Sequence, residues 1–155
     1  MKSYFFYDFP LVRIYIAEAD GVVTDVAFHS IKDAVMKETP LISQTAEMLR
    51  EYFDGNRRSF EGLPFRAVGT EFQKKAWDAL IEIPYGETRS YKEQAIAIGN
   101  IKACRAVGAA NGKNPISIFI PCHRVIGSDR SLTGYGGGIE VKKALLELER
   151  KYQDS

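Results

Sequence analysis

Cys122 and His123 stand side by side in the run Ile120-Pro121-Cys122-His123-Arg124-Val125. A thiol becomes a useful nucleophile only as its thiolate, and that form needs a base or a positive neighbourhood to support it. The segment supplies a base in His123 and a cation in Arg124. Polar side chains cluster ahead of the thiol at Tyr91, Arg105, Asn111 and Asn114, and Gly134-Tyr135-Gly136-Gly137-Gly138 follows it. Such a set suits a polar pocket to which backbone can approach closely. With residues 120–123 extended, the Cys122 and His123 side chains point to opposite faces, so a direct hydrogen bond is disfavoured and a bridging water is required.

The elements that must carry these residues can be read from periodicity and caps. Residues 3–7, 11–17 and 22–28 are rich in aromatic and β-branched side chains, with Ala19-Asp20-Gly21 as a turn, and predict a small antiparallel meander. Ile42, Ala46, Leu49 and Phe53 recur at helical spacing, and Asp54-Gly55-Asn56 stops that helix. Residues 56–68, with Gly62 and Pro64, read as a linker, placing the boundary between an N-terminal domain, 1–64, and a C-terminal domain, 65–155. Thr70 with Gln73 and Ser90 with Glu93 each match a capping box, so helices begin after Thr70 and Ser90. Gly99-Asn100 then separates the second of these from a further helix over 101–110, a helix-turn-helix pattern. Residues 116–120 read as a buried strand leading to the thiol. A last helix over 139–152 has Val141, Leu145, Leu148 and Tyr152 as its apolar face, which leaves Glu149 facing solvent as a partner for Lys142 or Arg150. The fold class expected is α+β.

Composition narrows the function classes. At 155 residues with 45% hydrophobic and 26% charged residues, the chain is neither disordered nor low in complexity. The net charge of +1 conceals an uneven distribution, −3 over residues 1–64 and +4 over 65–155, so a polyanion would be met by the C-terminal part. Cys104 and Cys122 are the only cysteines, too few for a disulfide framework, and free thiols suit a reducing, cytoplasmic setting. Assembling a metal site from them with His29 and His123 would consume the nucleophile, so no metal is expected. The Phe5-Phe6-Tyr7 run is broken by Asp8 and Pro10, leaving no membrane span.

Five ordered stretches over residues 65–150 carry a family resemblance. They are Thr70-Glu71-Phe72-Gln73 with Trp77, Ile83-Pro84-Tyr85-Gly86-Glu87-Thr88 with Ser90-Tyr91, Arg105-Ala106-Val107-Gly108 with Asn114-Pro115, Pro121-Cys122-His123-Arg124, and Ser131-Leu132-Thr133-Gly134-Tyr135. In these the chain resembles the O6-alkylguanine-DNA alkyltransferases, the methylated-DNA:protein-cysteine methyltransferases. The resemblance implies a ribonuclease-H-like leading domain. It also implies single-turnover transfer of an alkyl group from O6 of a flipped-out guanine to Cys122, on double-stranded DNA, by a monomer without cofactor or membrane partner. Among catalytic residues it implies His123 as the water-mediated base, Glu149 orienting His123, Tyr91 donating to ring N3, and Asn114 bracing the cysteine loop. Arg105 would fill the vacated space in the duplex. Tyr91, Ala106, Gly108, Ala109, Asn111, Lys113 and Arg124 would share the DNA contact.

Backbone groups of Val125, Tyr135 and Gly136 would hold the base. The small residues of the second motif helix, Ala103, Ala106, Gly108, Ala109, Ala110 and Gly112, fit that mode. An ordinary helix is about 10–12 Å across and the minor groove only about 6 Å wide, so a helix stripped of bulk is the one that enters. Two other readings compete. A lesion-binding module would flip the base and transfer nothing, which the presence of Cys122 opposes. A thiol hydrolase built on Cys122, a histidine and an asparagine would need the imidazole within direct hydrogen-bond reach of the sulfur.

Overall fold

The computed structural model describes residues 1–153, and the molecule is α+β. Strands β1 (Lys2–Asp8), β2 (Arg13–Ala19) and β3 (Val22–Ala27) form the expected antiparallel meander. Asp20 and Gly21, both with positive φ, make its second turn. A strand without a counterpart in the sequence expectation, β4 (Ala34–Met36), pairs parallel to β1, giving the order β3-β2-β1-β4. Helix α1 (Pro40–Phe53) covers the sheet, capped by Thr39, whose side chain accepts from the Ile42 N–H at 3.2 Å.

The remaining elements are α2 (Glu71–Ile81), β5 (Arg89–Ser90), α3 (Tyr91–Ala97), α4 (Cys104–Gly112), β6 (Val125–Ile126) and α5 (Ile139–Tyr152). Both expected capping boxes are formed: Thr70 and Gln73 exchange bonds of 3.1 and 2.9 Å, Ser90 and Glu93 bonds of 3.0 and 2.8 Å. The helix-turn-helix is α3 and α4, joined through Gly99 at positive φ and a single 3-10 turn, Ile101–Ala103. Trp77 Nε1 donates to the Ala110 carbonyl at 2.8 Å, and the Gln94 and Asn111 amides exchange bonds of 2.8 and 2.9 Å. These contacts fix α4 against α2 and α3.

One apolar core runs through both parts of the chain, from Ile14, Ile16 and Val26 in the sheet to Trp77, Ile116, Ile120 and Leu145. A smaller cluster of Ala95, Ala103 and Val107 holds the helix-turn-helix together. The segment 64–66, within the expected linker, is bound to the edge of β3: Val23 N–H donates to the Pro64 carbonyl and Arg66 N–H to that of Val23, each at 2.9 Å. Farther along the same edge, Val26 N–H donates to Pro115 and Ser117 N–H to Val26, again at 2.9 Å.

Residues 116–120 are buried as expected but do not form a strand. Ile118 has φ of 73°, and the Ile120 N–H turns back to the Ile116 carbonyl at 3.0 Å. Apolar content reports burial, not dihedral angles; here the five residues make a tight, buried turn.

Candidate active site

Cys122 begins a 3-10 turn, Cys122–Arg124, so the backbone at the dipeptide is not extended. The turn is closed by the Cys122 N–H to Ile120 carbonyl bond at 2.8 Å and the Arg124 N–H to Pro121 carbonyl bond at 3.0 Å. The parallel pairing of β6 with β5 then draws Val125 toward Arg89, bringing the start of α3 beside the thiol turn. Asn114 ties the front of the loop: its Nδ2 donates to the Ile120 carbonyl at 2.7 Å and to Cys122 Sγ at 3.3 Å, while its Oδ1 accepts from the Ile116 N–H at 3.0 Å. That side chain thus holds three points of one loop.

Behind the thiol lies a buried ionic cluster centred on Glu149. Its carboxylate accepts from Tyr52 Oη at 2.6 Å, Gly86 N–H at 3.2 Å, His123 Nε2 at 2.6 Å, Arg124 Nε at 2.8 Å and Arg124 Nη2 at 3.0 Å. The remaining Arg124 nitrogen, Nη1, donates to the Ile83 carbonyl at 2.7 Å. Burial pushes the Glu149 carboxyl upward, but His123 and Arg124 together outweigh it and hold the group well below the usual carboxylate range. Burial lowers the His123 pKa, against the pull of Glu149. The consistent state is an ionised carboxylate neutralised by Arg124 and a neutral imidazole whose Nε2–H donates to Glu149. Nδ1, without a hydrogen-bond partner among the described residues, is the ring nitrogen left to take a proton.

Cys122 itself is buried, and burial raises its thiol pKa; the Asn114 bond and the charge of Lys142 oppose that rise without overcoming it. The resting sulfur is therefore a thiol, and a base must remove its proton. Lys142, whose own pKa is lowered by burial, donates to the Thr133 carbonyl at 3.0 Å, and its Nζ stands 5.9 Å from the centre of the Tyr91 ring. In front of the thiol a cavity of about 580 Å³ opens, lined by Cys122, Asn114, Ser117 and Tyr91, by Thr133 to Gly136 of the glycine-rich loop, and by Asp25, Ala27 and Phe28 at the end of β3. The Tyr91 hydroxyl meets Thr133 Oγ1 across it at 3.1 Å.

Several of the expected site residues lie along α4 or around the thiol turn. Arg105, Ala106, Ala109 and Lys113 are exposed along α4, with Gly108 half-buried beneath the Tyr91 ring, while Val107 and Ala110 face inward. Val125 is buried, its N–H donating to the Cys122 carbonyl, and Gly136 lines the cavity. Others are placed differently from expectation. Glu149 faces the interior, because the buried stripe of α5 is Lys142, Leu145 and Glu149, with Val141 and Leu148 on its flanks. Arg124 is buried with its guanidinium committed to Glu149 and Ile83, which leaves it no phosphate to meet at the surface. Asn111 lines the back of the cavity, but its amide is paired with Gln94.

Sequence reasoning missed Tyr52, Lys142, Thr133 and Phe28. The spacing of seven between Lys142 and Glu149, which puts both on one helix face, was the available signal for the lysine.

Two family models match the chain: the 6-O-methylguanine DNA methyltransferase ribonuclease-like domain over residues 2–67, and the DNA binding domain of the same family over residues 71–151. The chain belongs to the 6-O-methylguanine DNA methyltransferase family. The constitutive methylated-DNA–protein-cysteine methyltransferase of Bacillus subtilis is 43% identical over 97% of this chain and 96% of its own length. The Haemophilus influenzae methyltransferase is 42% identical over 95% and 86%. A crystal structure of the Mycobacterium tuberculosis protein in complex with DNA superposes with a TM-score of 0.91, at 43% identity over 97% of this chain and 94% of that one. Membership thus rests on the whole chain, sheet included.

Proposed function

We propose that this protein repairs DNA by moving the alkyl group of an O6-alkylguanine onto its own Cys122, once per molecule, in the cytoplasm. The observation that carries the reading is that Cys122 lines an open cavity while its sequence neighbour His123 has a buried imidazole fixed through Nε2 to Glu149. The target atom is stacked inside duplex DNA, so the nucleotide has to be rotated out, at a cost of a few kcal/mol. The exposed, small-residue face of α4 is the surface for the minor groove, and Arg105 fills the space left in the base stack.

In the reaction, the Cys122 proton passes through a water to His123 Nδ1, and the imidazolium is stabilised by Glu149. The thiolate sulfur forms a bond to the alkyl carbon while the carbon–O6 bond breaks, its electron pair remaining on the purine. Tyr91 turns its hydroxyl from Thr133 to ring N3, where charge accumulates. The purine then takes up one proton and leaves as guanine, so the thiol hydrogen and the alkyl group have changed places. Backbone groups of Cys122, Val125, Tyr135 and Gly136 hold the base edge. A thioether is inert to water at neutral pH, which makes the protein a reagent consumed with its substrate.

A thiol hydrolase would require a direct sulfur–imidazole hydrogen bond, and among the described residues Cys122 Sγ has Asn114 as its side-chain partner instead. Incubation with O6-benzylguanine followed by intact-mass and peptide analysis tests the proposal. One benzyl group per molecule, on Cys122 and absent from Cys122→Ala, is the expected result. Benzyl on another residue, or release of more than one equivalent of guanine, overturns it.

A further inference from the structure

We infer that Phe28, carried on the N-terminal sheet, is a specificity-determining wall of the base pocket; the inference rests on the function proposed above. The N-terminal part is locked to the site by the two hydrogen bonds between Val26 and the Pro115 and Ser117 backbone, so the residue two places beyond Val26 is held in fixed relation to Asn114 and the cysteine loop. Phe28 reaches from there to the opposite wall. Its ring lies 5.4 Å from that of Tyr135 at a tilt of 54°. Its ring carbons occupy the space in front of Gly137: a Cβ built on that glycine would stand 3.1–3.3 Å from three of them, and one on Gly136 would stand 3.7 Å from the nearest.

Gly137 does not have a positive φ, so its backbone does not require glycine. The aromatic ring packs against it, so a side chain there would force the ring to give by a few tenths of an ångström. Phe28 is only half-buried, and it lines the cavity beside Cys122, Tyr135 and Gly136. The ring therefore sets the distance between the two walls that a purine must enter, and it braces the Tyr135–Gly136 backbone proposed to hold the base. Its removal widens the pocket and lets the loop retreat, a change that costs a small O6 substituent its contacts and makes room for a large one.

The test uses one duplex oligonucleotide carrying either O6-methylguanine or O6-benzylguanine, with single-turnover rates of Cys122 alkylation measured on the full chain. A pocket of altered size changes discrimination between groups that differ by carbon atoms by about 10-fold or more. Phe28→Ala is expected to slow methyl transfer by about 10-fold while benzyl transfer is unchanged or faster, with Phe28→Leu intermediate. Gly137→Ala is expected to slow methyl transfer by about 10-fold alone and by no more than about twofold in the Phe28→Ala background, where the added methyl has room.

Equal losses on both substrates, or additive effects of the two substitutions, overturn the inference. Thermal melting of each variant accompanies the rates, and Phe28→Leu with Gly137→Ala carries the test if Phe28→Ala does not fold. Wild-type protein that gains no alkyl group removes the proposed function and this inference with it; wild-type alkylation with unchanged variant ratios removes the inference alone.

Discussion

The two sides of Cys122 are built on opposite plans. Behind it, Glu149 is saturated by the Gly86 N–H and by the buried side chains of Tyr52, His123 and Arg124. In front, Tyr91 and Thr133 share a single hydroxyl contact at the edge of an open cavity, and the loop beyond is largely glycine. The rear side holds the His123 ring in one position through Glu149. The front side must admit a purine and exchange hydrogen-bond partners with it. Rigidity and adjustability are thus divided between the two faces of one sulfur.

Removing the rear carboxylate should have the largest effect. Glu149→Ala leaves the Arg124 cation buried without its partner, a change that costs about 3–5 kcal/mol. Urea unfolding followed through Trp77, the only tryptophan, measures it. A variant as stable as wild type would break the contrast by showing the cluster to be dispensable. Tyr91→Phe, on the front side, should lower the alkyl-transfer rate about 100-fold, equivalent to about 2.7 kcal/mol, by removing a donor from the developing charge. The unfolding midpoint should barely move, and a large stability loss would erase the distinction between the faces.

Acid probes the rear side more gently. His123 is held below its ordinary pKa, so below about pH 6.5 the unfolded chain takes up a proton that the folded one refuses, and stability falls as pH drops. The loss from this group is at most about 2 kcal/mol between pH 6.5 and 5. Glu149, also held low, contributes stability in full above the ordinary carboxylate range, about pH 4.3, and loses it as pH falls further. Stability measured from pH 7 to 3 should decline in these two stages, and Glu149→Gln should lack the second. The smallest effect, about 1 kcal/mol, is expected for Thr70→Ala, which removes a cap remote from both faces. Its transfer rate should equal wild type.

Local rules carried the sequence reading as far as local physics reaches. The caps at Thr70 and Ser90 each depend on a hydroxyl and a backbone amide three residues away, and α1, α2, α3 and α5 lie where their patterns placed them. The thiol turn drew attention through residue types alone. What failed had a nonlocal cause.

Periodicity counts apolar residues, so it turned Glu149 outward; partners distant in sequence, among them the Arg124 cation and the Tyr52 hydroxyl, 25 and 97 residues away, make an inward carboxylate stable. For the same reason Arg124 reads as a surface cation until its partner is known. Strand β4 escaped notice because its three residues, two of them exposed, show no alternation and depend on the β1 edge. The buried turn at 116–120 has the composition of a strand, and the left-handed Ile118 that breaks it carries no signature in residue type.

The edge of β3 is closed by residues 64–66 and 115–117, the second of which is made long after the strand. A ribosome adding about 5–20 residues per second needs roughly 5 to 20 s to travel from residue 27 to residue 117. Through that interval the newborn meander has part of one row of amides and carbonyls open to pairing with a neighbour, the hazard carried by any uncovered strand. Synthesis of the segment that holds the nucleophile is thus also the event that shields the nascent sheet from aggregation.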